Sequence, residues 1–92
     1  MRESVIETAV CKFARDHGCL VVKLSGPNDR GIPDRMFLKD GKAVFVEFKA
    51  PKKKPTALQF KRLRVLKEAG FAATWFDNVE GAKAWLIKTF DL

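Results

Sequence analysis

The chain has 92 residues, 47% apolar and 11% aromatic, with 32% charged and a formal net charge of +7. That is one small domain (1–92) with a thin core, to which a partner subunit could add. The apolar runs are too short for a membrane span of ~20 residues, no signal peptide is visible at Met1-Arg2-Glu3, and two cysteines with one histidine exclude a disulfide scaffold or an ordinary structural zinc site. A cytoplasmic protein with reduced Cys11 and Cys19 is expected.

Ile6, Ala9, Val10, Phe13 and Ala14 recur at helical spacing, so a first helix is predicted over Ser4 to His17, stopped by Gly18. Cys19 to Leu24 is short and β-branched, a strand. Ser25 to Gly31 has loop chemistry. Two more strands follow, Asp34 to Leu38 and Ala43 to Lys49, around a two-residue hairpin at Asp40-Gly41. Pro51 and Pro55 bracket a basic connector. Thr56-Ala57-Leu58-Gln59 forms a capping box for a helix running to about Ala69, with Gly70 as its stop. Phe71 to Phe76 reads as a fourth strand, and Asn78 caps a last helix with Ala82, Trp85, Leu86 and Phe90 on its apolar face. The order α-β-β-β-α-β-α is an α/β fold: a central mixed sheet flanked by helices, its last strand reached by a crossover helix.

The charge is concentrated. From Lys49 to Lys67 the chain carries eight basic residues (Lys49, Lys52, Lys53, Lys54, Lys61, Arg62, Arg64 and Lys67) and no acid, which leaves the remainder at −1. One basic face on an otherwise neutral domain is the footprint of a polyanion-binding protein. No helix offers a persuasive set of base-reading side chains, so sequence-specific recognition is not indicated.

The hairpin adds a geometric expectation. A two-residue loop at Asp40-Gly41 sets Lys39 opposite Lys42, Phe37 opposite Val44, Met36 opposite Phe45 and Asp34 opposite Glu47. Facing carboxylates about 5 Å apart repel each other. A hard divalent cation, Mg²⁺ or Mn²⁺, gives the pair a purpose. Lys49 shares the face of Glu47 by strand alternation and puts an ammonium beside it.

Pro33-Asp34 followed by Glu47-Phe48-Lys49 resembles the split motif of the PD-(D/E)XK nuclease superfamily, whose fold is restriction-endonuclease-like. Gly31-Ile32-Pro33-Asp34-Arg35 and Val46-Glu47-Phe48-Lys49 resemble its VRR-NUC branch, found in phages and DNA-repair enzymes. The element order extends the resemblance over essentially the whole chain. It implies that Asp34 and Glu47 bind metal, with the Phe48 carbonyl as a further ligand and Glu7 as the first-helix acid. It implies a catalytic Lys49 and a functional Gln59, which also lies on the apolar stripe of Leu63 and Leu66 and is claimed by the capping box. One side chain is not expected to fill both of those roles. Arg30 and Arg35 are expected near phosphates, and Lys52, Lys53, Lys54, Lys61, Arg62 and Arg64 on the DNA backbone.

The function implied is a Mg²⁺- or Mn²⁺-dependent DNA endonuclease in a phage-infected or bacterial host cell. It would act on branched DNA as a Holliday junction resolvase does, as a homodimer, without organic cofactor or membrane. A non-catalytic nucleic-acid-binding module, or a nuclease subunit of a larger repair or restriction complex, are the alternatives.

Overall fold

The structure, a computed structural model, describes residues 1–24, 26 and 30–92. Its elements follow the expected order: α1 (Glu3–Asp16), β1 (Leu20–Lys23), β2 (Arg35–Lys39), β3 (Lys42–Phe48), α2 (Ala57–Glu68), β4 (Ala72–Phe76) and α3 (Val79–Phe90). The sheet order is β1-β2-β3-β4. β1 and β3 run antiparallel to β2, and β4 lies parallel to β3, reached through α2.

The hairpin register is the one the two-residue loop dictates, with Lys39 opposite Lys42, Phe37 opposite Val44 and Met36 opposite Phe45. Asp40 and Gly41 both have positive φ, 51° and 77°. That is the type I′ geometry whose twist matches the flanking strands.

Strand alternation gives the sheet two unlike faces. On the first face, Phe37, Val44, Val46 and Phe48 pack against Ile6, Val10 and Ala14 of α1 and Ala82, Leu86 and Phe90 of α3. Phe37, Phe48, Ile6 and Leu86 are completely buried there. Cys11 and Cys19 are free thiols buried in the same core, and burial raises the pKa of each.

The second face consists of three rows running across the strands. Leu20, Leu38, Ala43 and Phe71 form one end, and Val22, Met36, Phe45 and Ala73 the middle. Leu24, Asp34, Glu47 and Trp75 form the other end. α2 packs chiefly over β4, through buried Leu63.

One departure from the sequence reading bears on function. β2 starts at Arg35, so the ladder stops one residue short of the expected Asp34–Glu47 pair. The next hydrogen-bonded pair in this register would be position 33 with Phe48, but Pro33 has no N–H to donate to the Phe48 carbonyl. The Phe48 N–H donates to the Asp34 carboxylate, at 2.8 Å. The loop expected from Ser25 to Gly31 lies partly outside the described residues (Ser25 and 27–29). Its end is described: Gly31, at φ 76°, sits so close to α2 that a Cβ would lie 2.7 Å from Leu58 Cγ.

Candidate metal centre

The acidic end of the second face gathers residues from four elements. Asp34 sits at the entrance to β2, Glu47 in β3, Glu3 in the first turn of α1 and Gln59 in the first turn of α2. One carboxylate oxygen from each of Glu3, Asp34 and Glu47 lies within 4.8 Å of the other two.

Glu47 is 2% exposed, the one buried charged residue among those described. Its Oε2 accepts a hydrogen bond from Gln59 Nε2 at 2.8 Å and lies 3.4 Å from Lys49 Nζ. Its Oε1 is buried and has no hydrogen-bond partner among the described residues. A buried carboxylate oxygen left so is costly, by about 1–3 kcal/mol or more. The electrostatics agree. Burial first, then the charge of Asp34, pushes the Glu47 carboxyl up to about 7, against the opposing pull of Lys49. Burial likewise raises Asp34, opposed by the Phe48 N–H. Glu3 is raised by burial and then by Asp34.

Three crowded carboxylates, each held toward its proton, with one orphaned buried oxygen, are a donor set that fits a hard divalent cation. Oxygen-rich ligands of this kind favour Mg²⁺ or Mn²⁺ over softer metals.

Gln59 makes the capping-box bonds and also reaches Glu47, two contacts that the sequence reading did not expect of one side chain. Its Oε1 accepts from the Thr56 N–H at 2.8 Å and its backbone N–H donates to Thr56 Oγ1 at 3.2 Å, completing the capping box. Its Nε2 is left for Glu47. A primary amide has a donor end and an acceptor end, so the two roles are compatible.

Two residues depart from their expected places. Glu7 is not in the acidic cluster: it forms an ion pair with Arg35, each side chain less than one-fifth exposed. Arg35 follows Asp34, so it projects to the opposite sheet face, toward α1, rather than toward a bound phosphate. Glu3, one helical turn before Glu7, takes the cluster position. The i, i+4 spacing of the two acids was the available signal. It could not tell which acid lies level with the hairpin mouth.

The basic residues expected on DNA lie at the surface. Arg30, Lys52, Lys53, Lys54, Lys61, Arg62 and Arg64 are all exposed. The connector is held in a turn in which the Lys53 N–H donates to Ala50 O and the Lys52 N–H to Asp77, with Lys52 at φ 67°.

A sheet of this order with acids at the hairpin mouth defines a nuclease-like α/β domain of the PD-(D/E)XK type. A solved structure described as "VRR_NUC domain" has the same fold, with a TM-score of 0.81 over 96% of each chain at 24% sequence identity. A protein of Acyrthosiphon pisum secondary endosymbiont phage 1, named "Putative nuclease p44", is 42% identical over 62 residues, 66% of this chain and 67% of that protein. The chain belongs to the VRR-NUC family of nucleases. No protein-family model matches it. Among the described residues, no helix is long and apolar enough to cross a membrane.

Proposed function

We propose that the chain is a divalent-metal-dependent DNA endonuclease, hydrolysing phosphodiester bonds with Mg²⁺ or Mn²⁺ in the cytoplasm of a phage-infected or bacterial cell. The observation that carries this reading is the cluster of Glu3, Asp34 and Glu47 with its unpartnered buried Glu47 oxygen. A binding module for a polyanion has no use for three clustered acids beside the start of its basic segment.

Asp34, Glu47 and Glu3 hold the cation through carboxylate oxygens, and the Phe48 carbonyl is a further candidate ligand. A bound cation supplies Lewis acidity, making water a better nucleophile and offsetting the charge that grows on the phosphoryl oxygens. Asp34 is kept in orientation by the Phe48 N–H, and Glu47 by Gln59. Lys49, its side chain 15% exposed, sets an ammonium beside Glu47, where it orients the attacking water or stabilises the phosphorane-like charge. Arg30 and the lysines and arginines of the connector and α2 grip backbone phosphates without reading sequence.

The finer reading is selectivity for branched DNA by a homodimer carrying two such sites. It is supported by the uncovered apolar end of the second sheet face, where Leu20 is 62% exposed and Phe71 44%.

The test is cleavage of an end-labelled four-way junction and a matched linear duplex, with Mg²⁺, Mn²⁺ or EDTA. Asp34→Asn is expected to abolish cleavage in both metals while binding DNA at least as tightly as the parent, since it removes a negative charge from the contact. An active Asp34→Asn protein would reject the site. Equal cutting of both substrates would reject the branched-DNA reading alone.

A further inference from the structure

α2 carries a second pattern beside the stripe that faces the sheet. Phe60, Arg64 and Lys67 recur at i, i+4 and i+7, on one helix face. That face forms one wall of an open groove of about 350 Å³, with Thr74 and Trp75 of β4 opposite and Leu63 also in its lining. Phe60 is 44% exposed although aromatic, and its ring meets the Trp75 ring edge-on at a centroid distance of 6.2 Å. Arg64 and Lys67 are both exposed along the rim. The nearby acid, Glu68, forms only a solvent-exposed contact with Arg64 at 3.7 Å.

The groove adjoins the acidic cluster. Phe60 follows Gln59, which bonds Glu47, and Trp75 is the register partner of Glu47 across β3 and β4. β4 is also the edge of the sheet, so among the described residues no further strand covers this side.

We propose that this groove is a binding site for an unpaired nucleobase, which stacks on Phe60 and Trp75 while its flanking phosphates lie on Arg64 and Lys67. Open aromatic faces with cations on the rim are the pairing that single-stranded nucleic acid requires: the rings take any base, and the cations take the backbone. Paired bases in a duplex have no free face to offer. The proposal rests on the nuclease reading and gives it a feature of the substrate, a strand unstacked within one residue's reach of the scissile position.

The test reads Trp75 directly. Trp75 and Trp85 are the two tryptophans, and Trp85 packs against Phe76 rather than lining the groove. Trp85→Phe protein is titrated with the oligothymidylate (dT)8 in EDTA, so that nothing is cleaved. Saturable quenching of Trp75 emission is expected. Phe60→Ala in the same background should weaken binding about tenfold, the loss of one stacked base. Phe60→Leu, which keeps apolar bulk without a π face, should weaken it nearly as much, and circular dichroism checks that both variants fold. Arg64→Glu with Lys67→Glu should remove most of the remaining affinity.

Binding of (dT)8 without change in Trp75 emission overturns the proposal. So does an affinity in either Phe60 variant equal to that of the Trp85→Phe parent, or quenching as strong with an equal length of blunt duplex, or the absence of any binding. The parallel cleavage assay keeps the two readings apart. Quenching without metal-dependent cutting would leave the stacking site standing and reject the nuclease. Cutting without quenching would do the reverse.

Discussion

At the scale of single residues, Glu47 decides most. Its folded pKa stands above the ordinary carboxylate value because burial and Asp34 both favour the proton, and Asp34 and Glu3 are raised in the same direction. A raised carboxyl binds its proton more tightly in the folded chain than in the unfolded one. Its stabilising contribution is therefore complete below about 4.5 and is lost as pH rises through about 7. Metal-free protein is expected to lose on the order of 1–3 kcal/mol of stability between pH 5 and pH 8. Mg²⁺ or Mn²⁺ at millimolar concentration should restore it at pH 8 by binding the folded state. Glu47→Gln, without that ionisation, should be flatter across the range and more stable than the parent at pH 8 in EDTA. Urea unfolding at pH 5 and pH 8, with EDTA or cation, measures all of these. A parent protein more stable in EDTA at pH 8 than at pH 5 would contradict the cluster's electrostatics.

At the scale of elements, α2 is a lever between fold and site. Its N-terminus is fixed by the reciprocal Thr56–Gln59 bonds, and the same glutamine reaches Glu47. The two functions separate by substitution. Thr56→Ala removes the bond from the Gln59 N–H and should cost about 1 kcal/mol of stability. It leaves the Thr56 N–H to hold the Gln59 carbonyl, so cleavage should stay within about twofold of the parent. Gln59→Leu removes the last neutral donor to Glu47, a bond to a charged group worth about 1.5–3 kcal/mol, and cleavage should fall at least about tenfold. Thermal melts run beside cleavage rates distinguish the two effects, and equal loss of activity in both variants would mean that Gln59 acts only as a cap.

The same element shows what a sequence discloses. The capping box, the hairpin register and the crossover were readable because each depends on neighbours in the chain. Asp34 and Glu47 were brought together by that register alone. The choice of Glu3 over Glu7 depends on where the first turn of α1 stands against the hairpin mouth, and the diversion of Arg35 depends on which face α1 covers. Both are long-range placements without a local signature. The ladder's end at Pro33 was visible as a residue type, but not the transfer of the Phe48 N–H to a side chain.

At the scale of the whole molecule, the two sheet faces are finished unequally. α1 and α3 close the first face, whereas α2 lies mainly over β4 on the second. The β1–β2 end of that second face keeps Leu20 exposed, with Val22, Met36 and Leu38 half-buried and Val65 of α2 exposed nearby. An apolar surface of this kind, at the end of the sheet away from the acids, is suited to a second copy of the chain. A two-fold contact there would leave both acidic clusters open at the outer ends of the pair, facing separate strands of one branched substrate. Leu20→Glu places a charge in the middle of such a contact, and on the paired-site reading it should be monomeric at micromolar concentrations where the parent pairs. Because Leu20 already faces solvent within one chain, the fold itself should be barely affected. Sedimentation velocity, with circular dichroism as the control for folding, separates the outcomes. A Leu20→Glu protein that remains dimeric moves the interface elsewhere. A parent that is already monomeric at these concentrations removes the paired-site reading and leaves the acids of one chain to act on one strand.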